Sequence, residues 1–416
     1  MERILILGAG FAGLWTAIGA ARRRDELGIG NEQLEILVID RTPFHSIRVR
    51  NYEADLEQTR VPLRDVLDPV HVKHQVGDLT DIDVIGRKIT CVDANESRLV
   101  AYDRLVIALG SRLVRPDIPG LDTNGFDVDT YQGGSRLNEH VADLPLGRAR
   151  PGQYTALVVG GGLTGIEAAT ELVSKLQKAR QSAPNSDLAP PVRVILVDRH
   201  AWIGSDMGES ARPVIAEALG ALGIETRVGV SLAAVDPESA VLSNGERIAT
   251  ATVVWCAGMR ANPLTEAVPV ARDRLGRLPV DPFMRVIGVP ATFAAGDAAW
   301  LPIDGNHLSV MSCQHGRPMG RFAGHNVVSD LMGQPMLPLS IDWYTTILDL
   351  GEWGAVYTEG WDRHVVTKGA AAKRTKEIIN RDRIYPPRSR NRQEILDASA
   401  PTVQRPPPVF QQAASL

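Results

Sequence analysis

Residues 4–13, with the sequence ILILGAGFAG, decide the fold of this chain. The apolar run is typical of a buried β-strand, and Gly8, Gly10 and Gly13 follow it in the spacing GxGxxG before a helix-like stretch. In such a unit the first glycine makes a tight turn, the second lets a pyrophosphate approach the backbone, and the third lets the helix pack on the strand. The N-terminus of the helix then points at the negative charge.

The same unit occurs a second time at residues 156–165, with the sequence ALVVGGGLTG. In each copy a second apolar strand follows the helix and ends on an acid, which is Asp40 in the first copy and Asp198 in the second. A carboxylate at this position can accept both ribose hydroxyls of an adenosine. The two copies therefore predict two dinucleotide sites in one chain.

Composition narrows the class of protein. With 416 residues and 44% hydrophobic content, the chain is long enough for two or three buried cores. The formal net charge of −4 gives no basic field that would attract nucleic acid. The cysteines are few and far apart, and no signal peptide or membrane-spanning run is evident, so we expect a cytoplasmic protein. The cysteines are Cys91, Cys256 and Cys313.

Three further apolar runs end in turns of small residues. Residues 102–110 read YDRLVIALG, residues 251–258 read ATVVWCAG, and residues 291–298 read ATFAAGDA. Each run predicts a buried strand that ends where small side chains leave room for a ligand.

Taken in order, these five motifs resemble the flavoprotein reductases with two dinucleotide-binding domains, the pyridine nucleotide-disulfide reductase superfamily. Residues 160–167, GGGLTGIE, and residues 254–258, VWCAG, most resemble type II NADH dehydrogenases. The resemblance extends from Met1 to about residue 330. It implies FAD on the first glycine turn and a nicotinamide cofactor on the second.

The resemblance also implies the residues of both cofactor sites, and it implies no metal. For FAD these are Gly8, Gly10, Phe11, Ala12, Gly13, Asp40, Arg41, His45, Ala108, Gly110, Gly296 and Asp297, with Arg48 as a further candidate beside His45. For NAD(P)H they are Gly160, Gly162, Leu163, Thr164, Gly165, Asp198, Arg199 and Gly258. We expect NADH to be preferred, because a carboxylate repels the 2′-phosphate of NADPH, although Arg199 would oppose that repulsion.

Three residues are expected near the chemistry. The resemblance places Glu167 at the nicotinamide–flavin junction, although a carboxylate there also complements the helix dipole. It places Gln314 at the border of the electron-acceptor pocket. His315 has two interpretations, a proton donor to the acceptor or a hydrogen-bonded core histidine, and both stay open.

The chain departs from two neighbouring subfamilies. Disulfide reductases carry two cysteines four residues apart after the first βαβ unit, where residues 41–52 contain none, so a dithiol relay is excluded. Sulfide:quinone reductases need paired cysteines beside the flavin, and Cys313 alone is suitably placed. Small buried thiols are therefore the favoured interpretation of the cysteines.

We predict an α/β fold with two doubly wound Rossmann-like domains and a small C-terminal α+β domain. The predicted segments are 1–120 and 276–332 for FAD, 121–275 for NAD(P)H, 333–385 for an interface domain and 386–416 for a disordered tail. Residues 368–392 hold nine Lys or Arg and two acids. A solvated basic face is favoured there, since an apolar face for membrane binding is lacking. Peripheral contact with the inner face of a membrane and a homodimer both stay open.

The predicted function is an FAD-dependent NAD(P)H oxidoreductase that passes two electrons to a quinone or another small acceptor. In one alternative the acceptor is a redox protein or a biosynthetic intermediate. In another the protein is a flavin-bearing, NADH-sensing interaction protein similar to apoptosis-inducing factor. That alternative predicts a long charged insertion in the C-terminal domain, and none is evident.

Overall fold

Two parallel β-sheets dominate the computed structural model, which describes residues 1–93, 96–147, 149–407 and 409. The spatial order of strands in the first sheet is Thr292–Ala294, Arg104–Ile107, Glu2–Leu7, Leu34–Asp40 and Lys73–Val76. The order in the second sheet is Gly125–Phe126, Thr252–Trp255, Thr155–Val159, Arg193–Asp198 and Glu225–Val228. These sheets confirm the predicted pair of Rossmann-like units.

The parallel register explains the continuous apolar runs. Leu7 lies opposite Ile39 on one side and Ile107 on the other, and the central strand of each sheet is buried. Strands that are covered on both faces need apolar residues at every position rather than at alternate ones. The carboxyl ends of these strands, where the glycine turns begin, consequently meet at one edge of each sheet.

Helices cover both sheets. They are α1 (Phe11–Glu26), α2 (Leu63–Leu67), α3 (Leu121–Asn124), α4 (Tyr131–Asp143), α5 (Leu163–Gln181), α6 (Gly208–Ala221), α7 (Cys313–Leu331), α8 (Ala370–Ile378) and α9 (Arg392–Ala398). A π-helical turn, Ile379–Arg383, continues α8. No helix of the described residues is long and apolar enough to cross a membrane.

Helices α1 and α7 pack closely because glycines face the contact. A Cβ atom on Gly320 would collide with the Ala12 carbonyl oxygen, and one on Gly324 would collide with the Thr16 carbonyl oxygen. The spacing of four residues places both glycines on one face of α7. This packing brings the N-terminus of α7 beside the first glycine turn.

Smaller antiparallel sheets complete the fold. One contains Asp78–Asp83, Lys88–Asp93 and Glu96–Ala101, a second contains Leu232–Asp236, Ser239–Leu242 and Arg247–Ala249, and a third contains Thr345–Asp349, Ala355–Glu359 and His364–Gly369. Two further antiparallel pairs are Phe44–Ser46 with Arg60–Pro62 and Ser111–Leu113 with Met259–Ala261, and one short parallel pair is Leu278–Pro279 with Ala299–Trp300. The third sheet and α8 form the predicted C-terminal α+β unit.

Strand Thr292–Ala294 joins the first sheet although most of the second sheet precedes it in the chain. This topology agrees with a first domain built from two segments, whereas the boundaries 1–120, 121–275, 276–332 and 333–385 stay predictions.

The disorder expected over residues 386–416 is wrong for part of that segment. Helix α9 lies within it and buries Ile395 and Leu396, and Ser399 Oγ donates to the Ile18 carbonyl oxygen at 3.1 Å. Two adjacent apolar side chains are sufficient to dock this short helix against α1, even in a segment of polar composition. Residues 408 and 410–416 lie outside the described residues.

Candidate flavin and nicotinamide site

One cavity of about 680 Å³ opens between the two glycine turns and the C-terminal unit. It brings together about half of the predicted site residues, drawn from stretches of the chain that are far apart in sequence. Those that line it are Gly10, Phe11, Ala12, Arg48, Ala108, Gly110, Gly162, Leu163, Thr164, Glu167, Gly296, Asp297 and Gln314.

The first glycine turn fits a dinucleotide. Gly8 has a φ of 95°, which favours glycine, and a Cβ atom on Gly13 would collide with the Gly8 carbonyl oxygen. A Cβ atom on Gly10, by contrast, would have no protein atom within 4 Å. The first and third glycines are therefore needed by the chain itself, and the second leaves open space where a pyrophosphate can approach the backbone.

The second turn repeats this arrangement. Gly160 has a φ of 115°, and a Cβ atom on Gly165 would collide with the Gly160 carbonyl oxygen. A Cβ atom on Gly162 would approach one protein atom, Asp206 Oδ2 at 3.8 Å. Both turns consequently have the shape that a dinucleotide requires.

The acids that end the second strands brace these turns. Asp40 Oδ2 accepts from the Ala9 amide at 2.8 Å, and Asp198 Oδ2 accepts from the Gly161 amide. Asp198 Oδ1 also accepts from the His200 amide at 2.7 Å. Each carboxylate lies beside its turn rather than on the cavity wall, and each keeps lone pairs for ribose hydroxyls.

Arg41, Arg199 and His45 are also among the predicted residues that do not face the cavity. Arg41 is exposed and pairs with Asp78 at 3.7 Å, and Arg199 is exposed. His45 is fully buried, and its Nδ1 donates to the Ala9 carbonyl oxygen at 2.9 Å. Burial lowers the pKa of His45 to about 4. His45 thus supports the first glycine turn from behind, which differs from the expected approach to the flavin.

Asp297 ends the turn at Gly296 on the cavity wall. Its Oδ2 accepts from Ser111 Oγ at 2.6 Å, and Arg48 Nη1 lies 3.9 Å from the same oxygen. Burial raises the pKa of the Asp297 carboxyl. This cluster offers both donors and acceptors to a polyhydroxyl chain such as ribityl.

Gly258 has a φ of 85° at the turn after Thr252–Trp255. It does not itself line the cavity, but its neighbours Cys256 and Met259 do. All three cysteines are free, and burial raises the pKa of the Cys313 thiol, so this thiol is a poor nucleophile.

Glu167 forms a buried ion pair that the sequence does not reveal. Its Oε1 accepts from Lys376 Nζ at 2.6 Å and from the Asp349 amide at 3.0 Å. The exposed fraction is 7% for Glu167 and 9% for Lys376. Burial raises the pKa of Glu167, while for Lys376 the nearby Glu167 carboxylate outweighs burial and raises the pKa.

Lys376 corrects the expectation of a uniformly solvated basic face over residues 368–392. It lines the cavity from α8, and its neighbour Lys373 donates to Asp349 Oδ1 at 2.6 Å. The sequence contains a signal that was missed: Ala372, Lys376 and Ile379 recur at helical spacing and form the inward face of this segment.

Gln314 and His315 are adjacent in sequence but differ in environment. Gln314 lines the cavity, and its Nε2 is buried without a hydrogen-bond partner among the described residues. His315 is fully buried and does not line the cavity, and its Nδ1 accepts from the Val310 amide at 2.9 Å. Burial lowers the pKa of His315 to about 4. Of the two interpretations left open, the geometry supports the core histidine.

Two glycine turns that open on one cavity, with no disulfide beside it, define an oxidoreductase built to hold FAD and a pyridine nucleotide together. Residues 2–320 match the model of the family described as pyridine nucleotide-disulphide oxidoreductase, and the chain belongs to this family. This match, together with the relatives and the solved structure named below, confirms the predicted cofactors, FAD and a pyridine nucleotide, and the predicted class, an NADH dehydrogenase-like oxidoreductase.

Relatives of known name agree with this class. The chain is 56% identical over 407 residues to the NADH dehydrogenase-like protein Rv1812c of Mycobacterium tuberculosis, which covers 98% of this chain and 100% of that protein. It is 26% identical to the demethylphylloquinone reductase NdbB of Synechocystis, over 85% of this chain and 86% of that protein. NDH2 from Plasmodium falciparum, solved in complex with NADH, shares the fold with a TM-score of 0.76 and 14% identity, over 95% of this chain and 98% of that chain.

Proposed function

We propose that this protein is an FAD-dependent NADH:quinone oxidoreductase. The observation that carries the proposal is the single cavity, which both glycine turns, Glu167, Lys376 and Gln314 share. When bound, FAD would supply the hydride-accepting and two-electron chemistry that links NADH to a second substrate. The overall reaction is NADH + H⁺ + quinone → NAD⁺ + hydroquinone.

The chain's own residues bind and orient the reactants. The turns at Gly10 and Gly162 hold the two pyrophosphates at helix N-termini, and Asp297 with Ser111 binds the ribityl hydroxyls. Such positioning supplies much of the rate of a hydride transfer, because the reacting atoms start in contact. Asp198 favours NADH, since a second negative charge beside it is repelled.

Lys376 is proposed to hold a proton beside the quinone. Its ammonium group is kept charged by Glu167 at 2.6 Å and lies on the cavity wall that also contains Gln314. A charged donor in a partly dry site stabilises negative charge that develops on a quinone oxygen. Gln314 Nε2 has no partner among the described residues and is available for the second oxygen.

The names of relatives support a quinone as the acceptor. NdbB is named a demethylphylloquinone reductase, and two further Mycobacterium tuberculosis relatives, each 26% identical to this chain, are named type II NADH:quinone oxidoreductases. Peripheral membrane contact and a homodimer stay open beside this proposal.

The proposal is tested by anaerobic turnover of the purified holoprotein with NADH and menadione, with NADH loss and hydroquinone formation measured in parallel. We expect one hydroquinone per NADH. A stoichiometry near zero for several quinones, with rapid electron transfer to a redox protein, would contradict the proposal. The variant Lys376→Met should lower the rate with menadione, whereas Lys368→Met, on the exposed strand nearby, serves as the control.

A further inference from the structure

One wall of the cavity carries three arginines. Arg317 and Arg321 lie four residues apart on α7, and Arg383 ends the π-helical turn after α8. All three line the cavity, and we call them the arginine wall. The position is unexpected for a site that serves uncharged quinones, because apolar residues would be sufficient there.

Within the part of the chain that the structure describes, the arginine wall has no counter-charge. Among the described residues no carboxylate lies within 4.0 Å of any of its three guanidinium groups. The Nε atoms of Arg317 and Arg321 are buried and have no hydrogen-bond partner there. Their guanidinium carbons instead lie 4.9 Å and 4.2 Å from the ring centroid of Trp15.

This burial is costly for the protein. The exposed fraction is 6% for Arg317 and 3% for Arg321. Burial lowers the pKa of Arg317 to about 10 and that of Arg321 to about 9, so both groups remain charged at neutral pH. Unpaired buried cations are strongly unfavourable unless an anion joins them in the working state.

The wall continues along α7 from Gln314, the residue proposed to bind the acceptor. Arg321 Nη1 donates to the Thr402 carbonyl oxygen at 3.4 Å, and Arg383 donates to the Arg405 carbonyl oxygen. Val403 lies between these two contacts in the chain and also lines the cavity. In the proposed function the pyrophosphates bind at the glycine turns of Gly10 and Gly162, so they do not need the arginine wall.

We propose that the arginine wall binds a carboxylate of the electron acceptor, so that the acceptor is a small acidic quinone rather than a neutral one. A guanidinium fork matches a carboxylate with two parallel hydrogen bonds. The wall binds the substrate and takes no part in bond changes, since the reaction transfers two electrons and two protons to the ring. This inference rests on the proposed function.

The test compares two acceptors that differ in charge and by one methyl group: a naphthoquinone with a propionate side chain, and its methyl ester. For Arg317→Gln and, separately, Arg383→Gln, we expect the KM of the acid to rise on the order of tenfold or more. We expect the KM of the ester to change less than about threefold. Arg317→Lys should recover part of the loss, and Arg381→Gln, on the exposed side of the same turn, is the control.

FAD content and the rate of flavin reduction by NADH are measured for each variant. Loss of FAD would overturn the inference, because the wall would then hold the flavin phosphates. An equal loss with acid and ester, or no loss with either, would overturn it as well.

Binding of the acid and the ester to the oxidised holoprotein, followed by the flavin absorbance without NADH, separates the two proposals. In one outcome, the wild type turns over neither quinone but binds the acid, and Arg317→Gln weakens this binding. That outcome would support the inference about the arginine wall and contradict the proposed function. In the other outcome, the wild type turns over the ester as fast as the acid and binds both equally. That outcome would support the proposed function and overturn the inference about the arginine wall.

Discussion

At the scale of single residues, position decides the role of each glycine. In the first turn, the backbone requires Gly8 and Gly13, whereas a Cβ atom on Gly10 would meet no described protein atom within 4 Å. The same distinction separates Gln314, whose amide faces the cavity, from His315, whose ring is enclosed by protein. Sequence spacing was sufficient to predict the backbone roles of Gly8 and Gly13 because they follow from one rigid local motif, whereas the role of Gly10 toward a pyrophosphate stays a prediction. Spacing left His315 undecided because side-chain direction at a helix start depends on the elements packed around it.

This distinction makes Gly10 and Gly13 a matched pair. We expect Gly10→Val to fold and to purify with little FAD, since its side chain enters the space of the pyrophosphate. We expect Gly13→Val to lose stability as well, because it collides with the Gly8 carbonyl oxygen. FAD content by absorbance and unfolding by circular dichroism measure the two effects. Gly10→Val with a full complement of FAD would remove the first turn from the flavin site.

The buried histidines predict the response to acid. The pKa of His45 and of His315 is about 4 in the folded chain, against an ordinary value of about 6.5. The unfolded chain binds more protons between these values, so stability falls as pH drops through that window, by up to about 1.4 kcal/mol per pH unit for each histidine. Urea unfolding of the holoprotein at several pH values measures this slope.

Replacement of one histidine should reduce the slope. We expect His315→Gln to remove the contribution of one histidine to the slope of the unfolding free energy against pH. His364→Gln, at an exposed position, is the control. His315→Gln should also leave reoxidation of the flavin by quinone near the wild-type rate, since His315 lies off the cavity wall. A selective slowing of reoxidation would restore the proton-donor interpretation.

At the scale of elements, α8 closes the site by reaching across to α5. Lys376 and Glu167 are 209 residues apart in sequence, so neither spacing nor composition could reveal their contact. For the same reason the sequence does not reveal the arginine wall: Arg383 belongs to the basic stretch 368–392, and only packing brings it beside Arg317 and Arg321 of α7. Helix α9 shows the converse, since two apolar residues in a polar segment order a helix that composition did not predict.

The α8–α5 ion pair predicts a pH-dependent defect. Lys376→Met leaves the Glu167 carboxylate buried without its partner, which costs about 3–5 kcal/mol at neutral pH. The folded-state pKa of Glu167 then rises further above its unfolded value, so stability should recover as pH is lowered and Glu167 becomes protonated. Urea unfolding checks this dependence.

Two variants test whether the ion pair is the cause. Glu167→Gln combined with Lys376→Met should be more stable at neutral pH than Lys376→Met alone. Lys368→Met removes an exposed pair with Glu217 and should cost less than about 1 kcal/mol. Equal losses of unfolding free energy for Lys376→Met and Lys368→Met would mean that the buried ion pair stabilises the fold no more than the exposed one.

At the scale of the whole molecule, two Rossmann-like units direct their strand ends at one cavity, and the C-terminal unit covers it. The two units were predictable because each is a local strand–turn–helix motif with a fixed hand and a fixed ligand edge. The shape of the shared cavity was not predictable, because the residues that line it lie far apart in the sequence, between Gly10 and Pro407. A single cavity allows both substrates to reach one flavin, which is the central claim about this protein.

Anaerobic stopped-flow with two successive mixings tests that claim most directly. NADH alone should bleach the flavin absorbance of the holoprotein, and menadione added afterwards should restore it, with one hydroquinone formed per NADH consumed. Flavin that NADH does not bleach, or bleached flavin that no quinone restores while a redox protein does, would contradict the account.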